Sequence, residues 1–165
     1  MARGADDDDL TTVGLLFETH AGLARELGRR LERETQLSVQ WFEVLLRLYR
    51  TPDHRLRMSD LAAQTTLTAS GLTRAVDRLE AAGLATRETC TADRRVAYAV
   101  LTPEGVARMD AALPVHLRHI GELVNAVLEP EEMAAFAATL RKLRDAVNPC
   151  AVVGTQTPAA SSRST

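Results

Sequence analysis

Apolar residues at Leu10, Val13, Phe17, Ala24, Leu27 and Leu31, with His20 in the same seam, follow one another at intervals of three and four. That spacing returns each side chain to one face of an α-helix and predicts a long amphipathic helix over 10–34. The aspartates at positions 6–9 stand ahead of it, where negative charge suits the positive end of a helix dipole. Trp41, Val44, Leu45, Leu48 and Tyr49 repeat the helical interval, and Pro52 closes a second helix.

Between Met58 and Leu84 two short helical patterns are separated by only a few polar residues. Ser59 is placed to cap the first and Thr68 the second, while Gly83 suits a left-handed exit. In the second helix Leu72, Val76 and Leu79 form a row to be buried, and Ser70, Thr73, Arg74 and Asp77 form a polar row of the same period. Two short helices with a polar outer row predict a helix-turn-helix. Val96, Tyr98 and Val100 then alternate with small residues after a turn-like TADRR, which predicts a β-hairpin, or wing.

Thr102, Pro103 and Glu104 supply a cap, a first-turn proline and a first-turn acid, so another helix starts there. Its apolar positions run through Val106, Met109, Leu113, His116, Ile120, Leu123 and Val127, and Pro114 inside them predicts a kink or a break. A last helix begins at Glu129-Pro130-Glu131 and presents Met133, Phe136, Leu140, Leu143 and Val147. The fold class expected is mainly α with a small β-hairpin wing. A winged helix-turn-helix over 38–101 lies between dimerisation helices over 10–34 and 102–147, forming one unit. Residues 1–9 form an acidic extension, and 148–165 have the small polar composition of a disordered tail.

The dimer follows from surface. Three terminal helices carry apolar stripes, and a winged domain of about 65 residues can bury only part of them. A second copy related by two-fold symmetry is the commonest solution. A monomeric helical bundle is the alternative.

Charge changes the picture once it is divided along the chain. The total is −2, yet Arg55–Arg95 holds seven arginines against five acids, net +2, while 1–34 is net −3 and 102–147 net −2. The middle third is therefore the candidate surface for a polyanion such as double-stranded DNA. Ala69, Ser70, Thr73 and Arg74 are short or forked side chains near the start of the second short helix, as a helix entering the major groove requires. Arg74 suits a bidentate contact with guanine. Arg78, a turn later, suits phosphate, or pairing with Asp77 or Glu80. At the wing tip Arg94 and Arg95 suit a narrow minor groove, with Asp93 bracing the loop.

Taken together, LSVQWFEVLLRL, LTRAVDRLEAAGL, DRR and LTPEG, in that order, make the chain resemble the MarR family, the multiple-antibiotic-resistance regulators, over roughly 10–147. The resemblance implies a homodimer, a recognition helix at 69–82 and a wing arginine in the minor groove. It also implies regulation at promoters, probed first at Arg74 and Arg95 and often relieved by a small aromatic or anionic effector between the dimer helices and the winged domain. His20 and Trp41 are candidates for lining such an effector site, although core packing explains both. The reactive first-helix cysteine of the family's peroxide-sensing branch is missing, since Cys90 falls in the wing and Cys150 before the tail. His116 and His119 have a spacing that suits a metal pair, but His116 falls in the apolar seam and an interface histidine is the simpler reading. No cofactor is expected.

The absence of a Gly-rich phosphate loop, a nucleophile elbow and an HExxH motif argues against an enzyme. A winged-helix module that binds protein is the more serious rival. Without a signal peptide or a long apolar run, a cytoplasmic protein with no membrane partner is expected.

Overall fold

The computed structural model describes residues 7–89 and 96–147. Helix α1 (Asp8–Thr35) starts where the Asp7 carboxylate accepts the amide of Asp9, 3.0 Å away, so two of the leading aspartates belong to its first turn. Helix α2 (Val39–Tyr49) is capped by Ser38, whose hydroxyl accepts the Trp41 amide. A 3₁₀ turn at Pro52–His54 then leads into strand β1 (Arg55–Arg57). Asp53 and His54 there have φ of 60° and 52°.

Helices α3 (Met58–Gln64) and α4 (Ala69–Ala81) form the helix-turn-helix. Thr68 caps α4 as expected, accepting the Gly71 amide at 3.1 Å. Ser59 does not cap α3. The chain enters that helix directly from β1, Arg57 holds the cap position with its side chain turned to the Tyr98 hydroxyl and not to the helix end, and the Ser59 hydroxyl turns to Asp60. Gly83 leaves α4 with φ of 72°, a conformation that costs a side-chain-bearing residue about 1 kcal/mol or more.

Strands β2 (Ala85–Thr89) and β3 (Ala97–Leu101) form the hairpin, and β1 adds to its free edge to give an antiparallel sheet in the order β1-β3-β2. Ala99 sits opposite both Leu56 and Arg87. Three residues carry no periodicity to speak of, which is why the pattern pointed to two strands and not three.

Helix α5 (Pro103–Ile120) begins at Thr102, which accepts the Gly105 amide and donates its hydroxyl to the Gly83 carbonyl at 2.7 Å. The helix runs through Pro114, so of the kink or break expected there the break does not occur. Proline removes a single amide donor, and the turn around it is held by buried Met109, Ala112 and His119. The departure from α geometry comes later, as a π-helical turn over Gly121–Asn125, before α6 (Pro130–Val147).

The core lies under the winged domain, where Leu45, Leu48, Leu61, Val76, Leu79, Ala99 and Met109 are all 0% exposed. The terminal helices end differently. Leu31 is buried, but Leu10 and Phe17 at the other end of α1 are 61% and 68% exposed, and α6 has no buried residue.

Candidate nucleic-acid interface

The expected division of α4 into two rows is realised. Leu72, Val76 and Leu79 are buried against α2 and the sheet, and this fixes the roll of the helix so that Ala69, Ser70, Thr73, Arg74, Asp77 and Arg78 all face outward. The Thr73 hydroxyl donates to the Ala69 carbonyl and Arg74 Nε to the Ser70 carbonyl, at 3.0 and 3.3 Å. Arg74 thus lies along its own helix with its terminal nitrogens directed to no carboxylate among the described residues. Arg78 likewise has no carboxylate partner among the described residues, although Asp77 and Glu80 flank it.

The reason is Arg87, a residue the sequence reading counted only as charge. From β2 its guanidinium bonds the Asp77 carboxylate and donates to the Thr73 carbonyl at 2.9 Å. Its backbone amide donates to Glu80 at 2.9 Å. One arginine therefore ties the wing to the recognition helix, offsets part of the charge of that helix's acids and leaves Arg78 available for an outside anion. β-Strand alternation was the only available hint, since it puts Arg87 on the face turned toward α4.

Arg74 and Arg78 share a cleft of about 190 Å³ with Gly71, Ala75, Gln40 and Trp41. Trp41 is thereby placed beside the recognition helix. His20 lies elsewhere, on a second cleft of about 280 Å³ between α1, α2 and α5 that includes Leu27, Phe42, Glu43, Thr66 and His116. The two residues paired as effector candidates are not brought together.

On the sheet, the Arg55 guanidinium stacks 3.5 Å from the Tyr98 ring centroid and bonds Glu88 at 3.1 Å. This braces the base of the wing. Asp93, Arg94 and Arg95 lie outside the described residues, as do Cys90, Cys150 and the tail.

Behind the interface, α1 and α5 are clamped by charge. Glu34 accepts from Arg118 at 2.5 Å and from Arg33 at 3.0 Å, and pairs with buried His119 at 3.0 Å. These hydrogen bonds, Arg118 first, hold the Glu34 carboxyl down at about 2. His119 is committed to that partner. His116 Nδ1 is buried with no partner among the described residues, and burial, with His119 nearby, lowers its pKa.

An outward-facing arginine-bearing second helix beside a winged sheet is the arrangement of a DNA-binding transcriptional regulator. A family model described as MarR family matches residues 35–96. The transcriptional repressor YetL of Bacillus subtilis is 32% identical over 96 residues, which are 58% of this chain and 58% of the repressor, so the match spans little over half of that relative. Sco3205 of Streptomyces coelicolor, a MarR family regulator solved in complex with DNA, is 29% identical with a TM-score of 0.81, over 90% of this chain and 93% of that one. AbsC, a MarR family regulator from the same organism, is 30% identical with a TM-score of 0.73, over 90% and 99% of the two chains. The chain belongs to the MarR family of transcriptional regulators.

Proposed function

We propose that two copies of this chain pair through α1, α5 and α6 and set two α4 helices into successive major grooves of a near-palindromic site, most simply as a repressor. The observation that carries the reading is the outer face of α4. Ser70, Thr73, Arg74 and Arg78 are exposed there, and Arg87 from the wing engages the acids Asp77 and Glu80 beside them. Arg74 reads a base edge and Arg78 holds phosphate, while Arg94 and Arg95 enter the flanking minor groove. Pairing is supported by large apolar side chains that stand exposed, among them Phe17, Val127, Phe136 and Val147. Two-fold symmetry places the half-sites about 34 Å apart, one turn of duplex. The cleft holding His20, Phe42 and His116 lies directly behind the helix-turn-helix, and a small molecule seated there releases the DNA.

Selection of duplexes from a random pool tests this directly. Inverted repeats with centres about 10 base pairs apart are expected, bound by a species that sediments as a dimer. Enrichment of single, unrepeated half-sites by a monomer overturns the symmetric arrangement. No enrichment at low salt overturns DNA reading altogether.

A further inference from the structure

The proposed effector cleft has a chemistry that sorts ligands. It is apolar along Leu27, Leu31, Phe42 and Leu46. Its polar lining is Glu43, Thr66, His20 and His116, with no arginine or lysine among the described residues that line it. Arg47, the next cation along α2, feels the charge of Glu43 but is not part of the wall. His116 packs against Phe42 with ring centroids 4.6 Å apart, and the burial that lowers its pKa keeps it a neutral imidazole near pH 7.

Glu43 is also structural. One carboxylate oxygen accepts the Thr66 amide at 2.7 Å and the other the Thr66 hydroxyl at 2.9 Å. Thr66 stands in the turn between α3 and α4, two residues before the Thr68 cap. The carboxylate that faces the cleft is thus the one that pins the entrance to the recognition helix.

We propose that this cleft takes an aromatic molecule carrying a hydrogen-bond donor, an amine in preference to an acid, and that the donor competes with Thr66 for Glu43. The proposal rests on the reading of α4 as the DNA-binding helix. A carboxylate ligand would meet Glu43 across a pocket with no arginine or lysine in its described lining, which sets two like charges against each other. An ammonium gains a charge-assisted hydrogen bond in the same place. Taking the oxygen from the Thr66 hydroxyl frees the turn, so ligand and DNA oppose each other, and the opposition is reciprocal.

Benzylamine, benzyl alcohol and benzoate share one shape and differ in head group, and calorimetry on the full chain without DNA ranks them. Benzylamine is expected to bind about tenfold more tightly than benzoate, the difference of one charge-assisted contact, with benzyl alcohol between them. Glu43→Gln is expected to bring the three to within about twofold, since the amide keeps the shape and loses the charge. Benzoate equal to or tighter than benzylamine overturns the assignment, and so does the absence of heat from all three at millimolar concentration. Thr66→Val removes the hydroxyl competitor, so benzylamine affinity should rise and affinity for the selected duplex should fall, each severalfold. Unchanged benzylamine affinity in folded Thr66→Val, confirmed by its melting curve, overturns the competition. A protein that sorts the three compounds as stated but binds no duplex leaves the cleft assignment standing and removes the DNA reading instead.

Discussion

Replacing Gly105 by alanine is expected to damage the molecule out of proportion to one methyl group. A Cβ built at Gly105 falls 2.1 Å from the Leu84 carbonyl oxygen and 2.7 Å from Leu101 Cδ1. A leucine methyl can turn aside, but the carbonyl cannot, because it accepts the Thr102 amide at 3.1 Å while Thr102 donates its hydroxyl to Gly83. Relief requires α5 to back away from the α4–β2 turn by more than an ångström, which breaks both bonds. Overpacking costs about 1–3 kcal/mol and each lost hydrogen bond about 1 kcal/mol, so the sum is about 3–5 kcal/mol. That is a large share of the roughly 5–15 kcal/mol that holds a domain together and lowers the melting temperature by about 10 °C. Gly28→Ala is the comparison, since its Cβ meets only the Val39 side chain, at 2.5 Å, and should cost about 1 kcal/mol. Guanidinium unfolding followed by far-ultraviolet circular dichroism measures both. If Gly105→Ala loses under about 1 kcal/mol, or less than Gly28→Ala, the argument that this glycine seats α5 on the winged domain is wrong.

Arg87→Ala should weaken binding to all duplexes about tenfold by returning the charges of Asp77 and Glu80 to the face of α4, with stability changed by only about 1 kcal/mol because these pairs are half-exposed. Fluorescence anisotropy at two salt concentrations reads it, and full affinity would mean that the tie is ornamental. Arg78→Ala should lower affinity for specific and random duplexes alike and reduce the salt slope by about 1. Arg74→Ala should instead flatten preference at one base pair by about 1–3 kcal/mol, and equal losses on specific and random DNA would remove it from base reading. Glu34 and Glu26 both have carboxyls held at about 2 by neighbouring arginines, against an ordinary 4.5. A depressed carboxylate stabilises the fold above its ordinary pKa and loses that contribution as pH falls. The denaturant midpoint should therefore drop between about pH 4.5 and 2, more shallowly in Glu34→Gln, and identical acid profiles for the two proteins would refute the clamp.

Much of the fold could be read from periodicity because each helix is long enough to show it. The rows of α4, the Thr68 and Thr102 caps and the Gly83 exit are local devices, and local devices leave local marks in sequence. What escaped notice is non-local. Strand β1 exists because β3 offers an edge, and it takes the helix start away from Ser59. Pro114 stays helical because of what packs around its turn, while the irregularity falls at Gly121, where nothing in the spacing announces it. Site residues divide the same way. The outward row of α4 follows from helix geometry, but the pairing of Arg87 with Asp77 joins positions ten apart through the turn into β2, and that of Glu43 with Thr66 joins α2 to a loop. Trp41 and His20 look alike as aromatic residues in apolar seams, and only the packing of α2 sends them to different clefts.

Helix α6 contributes no buried side chain to its own subunit. If its cover is a second copy, completion of the molecule is a bimolecular event, and dilution erodes the architecture itself. Below the dissociation constant of the pair, filled sites on DNA would climb with the square of the amount of protein made. A modest change in expression would then act as a sharp control in its own right, before any small molecule enters.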